Sequence, residues 1–260
     1  MKIVVIGTGY VGLVSGACLA HLGNNVICVD NDLDKIKKLK SGEIPIYEPG
    51  LDKVVSDASI AGKLEFSSNI EQALADSDVV MLAVGTPNDK KTGRADLSYI
   101  MDAASEVAKY INKAVIVVVK STVPVGTGAK VKQVLKNKRP ELNCEVVSNP
   151  EFLREGSAVN DFLKPDRIIV GISSNDSKNI LQKVYSKLVD QGYPILFTNV
   201  PTAELIKYAA NAFLATKTAF VNEIADICEG VGADIEVVTK GMGMDERIGS
   251  KHMRAGPGYG

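Results

Sequence analysis

A chain of 260 residues, 45% hydrophobic and 23% charged, has the balance of a folded globular protein with enough length to bury a large core. The 30 Lys and Arg against 31 Asp and Glu leave a net charge of −1, which argues against nucleic acid or an anionic membrane surface as partner, so any affinity for a phosphorylated ligand must come from a local site. The apolar run at Met1 to Gly7 is too short for a signal peptide, no stretch has the length of a membrane span, and Cys18, Cys28, Cys144 and Cys228 lack metal-site spacing, so the chain reads as cytoplasmic with free thiols and no metal.

Short apolar runs predict strands at 2–6, 25–29, 77–84, 114–120, 144–148, 167–171 and 195–198. Several are continuous Val/Ile runs, as suits strands covered on both faces of a parallel sheet. Amphipathic stretches between them predict helices at 11–21, 34–40, 98–110, 127–136 and 176–188. Strand and helix in alternation predict a doubly wound α/β domain over residues 1–200. From Pro201 the strand signal stops. Leu205, Ala209, Ala212, Phe213, Thr216, Phe220 and Ile224 recur at helical spacing, which predicts one long helix over 201–232 ending near Gly230 or Gly232. A short helix follows at 235–240, and the Gly/Pro-rich stretch from Ala255 is a loop.

Gly7-Thr8-Gly9-Tyr10-Val11-Gly12 follows a predicted strand and opens a predicted helix, the context that gives a Gly-x-Gly-x-x-Gly its meaning. Gly7 permits a tight turn, Gly9 lets a pyrophosphate approach the backbone, and Gly12 lets helix pack on strand. The helix N-terminus then offers N–H groups to the phosphates. Asp30 ends the second strand, 18 residues past Gly12, where a carboxylate can accept from ribose hydroxyls and would repel a 2′-phosphate. This predicts NAD rather than NADP, with Lys35 within reach of the same ribose.

Three segments stand at the carboxyl ends of predicted strands, the edge where open α/β sheets bind ligands: Val84 to Pro87, Lys120 to Gly126, and Asn149-Pro150-Glu151-Phe152-Leu153-Arg154-Glu155-Gly156. With Glu48 to Leu51, Pro165-Asp166-Arg167 and Glu204 to Ala212, they resemble the UDP-glucose/GDP-mannose dehydrogenase family, over the whole chain. The Pro-Asp-Arg segment looks more like the UDP-glucose branch than the GDP-mannose branch. The resemblance implies a Rossmann-type domain, NAD as cofactor, UDP-glucose as substrate and homodimerisation through the long helix. It also implies a double oxidation to UDP-glucuronate, in which a cysteine thiolate traps the aldehyde as a thiohemiacetal that is oxidised to a thioester and hydrolysed.

By the same resemblance Lys207 and Asn211, four apart on one helix face, stabilise oxygen-centred negative charge on the substrate. Glu151 lies against substrate, Glu155 where sugar and nicotinamide meet, Thr122 orients a water, and Thr86 touches the cofactor. Tyr10 and Val11 belong to the cofactor loop; Phe152, Leu153 and Arg154 join the substrate side. His252-Met253-Arg254-Ala255-Gly256, with Gly260, match the family's substrate loop. Residue by residue, plainer readings compete: Lys207 and Asn211 as a solvated pair, Glu151 and Glu155 as surface charges, Thr122 as a cap for the helix after it.

In the family the nucleophilic cysteine comes shortly after the position of Gly260, and a UDP-binding domain follows. Residues 233–260 are therefore expected to open a central helical domain in a fragment that binds NAD but does not complete the oxidation. None of the four cysteines takes the nucleophile's place by position. Two further readings stay open. A single-step β-hydroxyacid dehydrogenase would need no thiol, and a non-catalytic NAD-binding module would need neither thiol nor substrate.

Overall fold

The structure, a computed structural model, describes residues 1–258. The chain divides into two compact units, Met1–Leu205 and a second beginning at Ile206.

The first unit alternates strand and helix. It opens with β1 (Lys2–Ile6), α1 (Tyr10–His21), β2 (Asn25–Val29), α2 (Leu33–Lys40), α3 (Leu51–Ile60), β3 (Leu64–Ser67) and α4 (Ile70–Leu74). Next come β4 (Val79–Leu82), α5 (Ser98–Tyr110), β5 (Ile116–Val119), α6 (Thr127–Lys138) and β6 (Glu145–Ser148). It closes with α7 (Ala158–Leu163), β7 (Ile168–Gly171), α8 (Asn175–Val184), α9 (Ser186–Asp190) and β8 (Ile195–Thr198). The long helix α10 (Val200–Val231) begins in this unit and continues into the second.

The eight strands form one sheet in the order β3-β2-β1-β4-β5-β6-β7-β8. β1 lies between β2 and β4, so the strand order reverses beside it, the switch point at whose carboxyl end open α/β sheets take their ligands. Successive side chains alternate between two cores. Ile3, Val5, Val79, Met81, Ile116 and Val118 pack under α1, α3 and α7. Val4, Ile6, Val80, Leu82, Val117 and Val119 pack under α4, α5 and α6. This period-two partition, with both faces apolar, is why the strands read as unbroken Val/Ile runs.

Two features depart from a simple reading of the sequence. β7 runs antiparallel to β6, joined through the pair Ser148 and Gly171, and β8 runs parallel to β7. The link from β6 contains only the six-residue α7, roughly 9 Å of helix, and it delivers the chain to β7 from the sheet's carboxyl edge. The predicted helix at 176–188 is two helices, α8 and α9, that meet at Tyr185, which caps the first and precedes the second.

The second unit holds the rest of α10, then α11 (Ile235–Gly243), whose first turn is capped by the Asp234 carboxylate. Gly232, in the left-handed region, follows the end of α10. The loop after α11 is tied to α10. The Lys217 ammonium donates to the carbonyl of Lys251 at 2.7 Å, and the Asn222 amide exchanges two hydrogen bonds with the backbone of Gly256. No helix among the described residues is long and apolar enough to cross a membrane.

Candidate dinucleotide and sugar site

The glycine loop leaves the carboxyl end of β1. Gly7 has φ +99°, and a Cβ there would lie 2.7 Å from the carbonyl oxygen of Ala83. At Gly12 a Cβ would stand 1.9 Å from the Gly7 carbonyl oxygen, so only glycine lets α1 seat against β1. Around Gly9 the space is open, with no neighbouring atom within 4 Å of where a Cβ would be. Gly9 is also the N-cap of α1, which has no side-chain cap and no acidic residue in its first turn. An uncapped helix N-terminus under open backbone is what a pyrophosphate requires.

Asp30 lies just past β2. Its Oδ2 accepts from the Thr8 N–H at 2.8 Å, the Thr8 hydroxyl at 2.7 Å and the Lys35 ammonium at 3.3 Å. Its Oδ1 accepts from the Asp32 N–H at 3.1 Å. Burial pushes this carboxyl up, but the Thr8 and Asp32 hydrogen bonds and the Lys35 charge outweigh it, so it is held below its ordinary range. Oδ1, with a single donor on it, keeps capacity for a ribose hydroxyl. The residues of this loop fit a dinucleotide. Thr8, which the sequence reading passed over, is the piece that locks the acid to the loop.

The three carboxyl-edge segments are stitched together. Thr86 donates from its hydroxyl to the Thr122 carbonyl at 2.9 Å, and the Thr122 hydroxyl donates to Glu151 Oε1 at 3.4 Å. Glu151 Oε2 accepts from the Leu153 N–H at 2.6 Å, which holds the Asn149 to Gly156 segment in a turn. Thr122 does not cap α6. That helix begins behind Gly126, and the carboxylate capping it is Glu204, buried and accepting from the N–H groups of Gly126 and Gly128 at 2.7 Å each.

The other anticipated residues fall as follows. The Arg154 guanidinium is bidentate to Asp161 and Glu155 is exposed, while Phe152 lies under Arg167 at 3.9 Å. Val11, in the first turn of α1, packs against the core. On α10, Lys207 is buried and Asn211 exposed. In the second unit His252 takes a left-handed backbone and is exposed with Arg254, Ala255 and Gly256, while Met253 is buried. Gly260 lies outside the described residues.

A further carboxylate, Glu48, was marked in the sequence only as part of a resemblance segment. It is 5% exposed. Its oxygens accept from the Ala158 N–H at 2.7 Å, the Gly156 N–H at 2.9 Å and the Tyr10 hydroxyl at 2.7 Å. All four cysteines are buried, and burial pushes the Cys18 and Cys28 thiols up to about 12.

The chain is 52% identical over 262 residues to the UDP-glucose 6-dehydrogenase of Rhizobium meliloti, a match that covers all of this chain and 60% of that protein. Among solved structures, the UDP-glucose dehydrogenase of Pyrobaculum islandicum superposes with a TM-score of 0.93 at 40% identity, over 98% of this chain and 59% of that one. A GDP-mannose dehydrogenase from Pseudomonas aeruginosa gives 0.91 at 35% identity, over 98% and 59% respectively. The chain spans about three-fifths of the length of the curated relatives it matches. Residues 1–189 match the NAD binding domain of the UDP-glucose/GDP-mannose dehydrogenase family and residues 201–260 match its central domain, so the chain belongs to that family.

Proposed function

We propose that this chain carries the NAD site and part of the sugar site of a dehydrogenase that oxidises UDP-glucose to UDP-glucuronate. The observation that carries the reading is the chain of hydrogen bonds from Thr86 through Thr122 to Glu151, which gathers the three loops at the sheet's carboxyl edge. NAD, when bound, accepts hydride. The protein's own tasks are to cradle its pyrophosphate on the first turn of α1 and to hold its ribose with Asp30. Glu151 and Thr122 orient a proton-bearing group at the sugar, and Glu155 borders sugar and nicotinamide. Lys207 and Asn211 share a face of α10 and stabilise negative charge on substrate oxygen. Phe152, Leu153, Arg154 and the residues from His252 to Gly256 border the sugar nucleotide.

In this reading residues 1–200 form the cofactor domain, 201–232 a helix that pairs two copies, and 233–260 the start of a central helical domain. None of the four cysteines serves as the trapping thiol, since each is buried. The preference for UDP-glucose over GDP-mannose rests on the names and identities of the relatives described above.

The test is NADH formation from NAD and UDP-glucose by the 260-residue chain, in parallel with the same chain extended by the family's cysteine segment and C-terminal domain. The reading expects two NADH per sugar from the extended protein and none from the 260-residue chain. One NADH per sugar from the shorter chain would move the assignment to a single-step, thiol-independent dehydrogenase.

A further inference from the structure

We infer that Glu48 is a positioning residue of the cofactor site, acting through the Tyr10 hydroxyl to hold the first turn of α1 against residues 151–158. The inference rests on the NAD reading above. Each of the three groups that Glu48 accepts from comes from a different position around the site: Tyr10 opens α1, Gly156 ends the segment carrying Glu151 and Glu155, and Ala158 opens α7. The Tyr10 oxygen is also 3.0 Å from the carbonyl oxygen of Arg154, so its single proton lies between two acceptors, the Glu48 carboxylate and the backbone of that segment.

The carboxylate itself is fixed. The Leu51 N–H donates to the Glu48 carbonyl at 3.1 Å, Gly50 turns the chain at φ +79°, and Leu51 is fully buried at the head of α3. A buried carboxylate would be costly without donors; with three it is a stiff brace. Capping α7 would explain the two backbone bonds. It does not explain the third, which reaches across to the residue next to the cofactor-binding Gly9. The Tyr10 hydroxyl is correspondingly held protonated, first by burial and then by the Glu48 carboxylate. The brace therefore sets where the α1 N-terminus stands relative to Glu151 and Glu155.

Two substitutions separate this role from a purely structural one. Tyr10→Phe removes the hydroxyl and leaves the α7 cap intact. Glu48→Gln keeps the shape but turns one acceptor oxygen into a donor, so a backbone N–H or the Tyr10 bond is lost. NAD dissociation constants are measured by calorimetry for the 260-residue chain, both single variants and the double variant, with a thermal melt of each. Loss of stability alone lowers the melting temperature and the fraction of binding-competent protein, but leaves the Kd of the folded fraction unchanged.

Positioning predicts that Tyr10→Phe weakens NAD about three- to tenfold, and that the double variant binds no more weakly than Glu48→Gln alone. If Glu48→Gln does not fold, Glu48→Asp, which keeps the charge and shortens the reach, takes its place in the cycle. Unchanged Kd values with lowered melting temperatures, or effects that multiply in the double variant, would overturn the inference while leaving the NAD site in place. Failure of the parent chain to bind NAD would overturn both.

Discussion

At Gly12 one hydrogen atom decides whether the loop exists. A methyl group there would meet the Gly7 carbonyl oxygen at 1.9 Å, and Gly7 is itself held in place by its N–H, which donates to the Val29 carbonyl at 2.8 Å. Gly12→Ala is therefore expected to destabilise the chain by at least about 2 kcal/mol and to abolish NAD binding, read by urea unfolding and by titration. Asp30 and Asp161 make a second case. Burial raises both carboxyls, but Thr8, Asp32 and Lys35 lower Asp30 further, and Arg154 with Ser157 lowers Asp161 further. Both bind protons less readily folded than unfolded. Their stabilisation is thus full above the ordinary carboxylate value of about 4 and is lost as pH falls through the lowered values. Melting temperatures between pH 7 and pH 2 should hold down to about pH 4 and decline below it, less steeply in Asp30→Asn; an identical slope in the variant would contradict the assignment. Residue types and spacing made the glycines and Asp30 legible. They did not make Glu48 or Glu204 legible, because a carboxylate that caps a helix from a distant segment has no local pattern.

Among the elements, those with a long or unbroken pattern were readable: β1, β2, β8 and α5 stand where the sequence places them, and α10 within a residue of its predicted ends. Three short elements were missed. β3 has four residues, α4 five and α7 six, too few for periodicity to register. α3 is different, because its buried Leu51, Val54, Val55 and Ala58 follow an i, i+3, i+4, i+7 pattern that was available to read. The turn from parallel to antiparallel between β6 and β7 had no signal in either strand's composition. Its anchor is Asn149, buried at the end of β6. The Asn149 N–H donates to the Val119 carbonyl, its amide to the Ile169 carbonyl at 2.7 Å, and its Oδ1 accepts from Tyr185 at 2.5 Å and Lys120 at 3.3 Å. One side chain thus joins β5, β7 and α8 at the start of the Glu151 segment. Asn149→Ala leaves several of these groups unpaired and is expected to cost about 3 kcal/mol by chemical denaturation; a cost under about 1 kcal/mol would mean the network is dispensable.

Over the whole molecule, the doubly wound α/β class, the dinucleotide loop at the end of β1 and the family were all readable from the sequence, because each is carried by contiguous motifs. How the loops meet was not, because the bonds from Thr86 to Thr122 to Glu151 join residues far apart in the chain. The account depends most on the pairing of an uncapped α1 with an ionised Asp30. Titration of the 260-residue chain with NAD and, separately, with NADP tests that pairing directly. The account predicts saturable, one-to-one binding of NAD and binding of NADP weaker by at least about tenfold, with the difference reduced in Asp30→Ala. Equal affinity for the two, or no saturable binding of NAD, would contradict it.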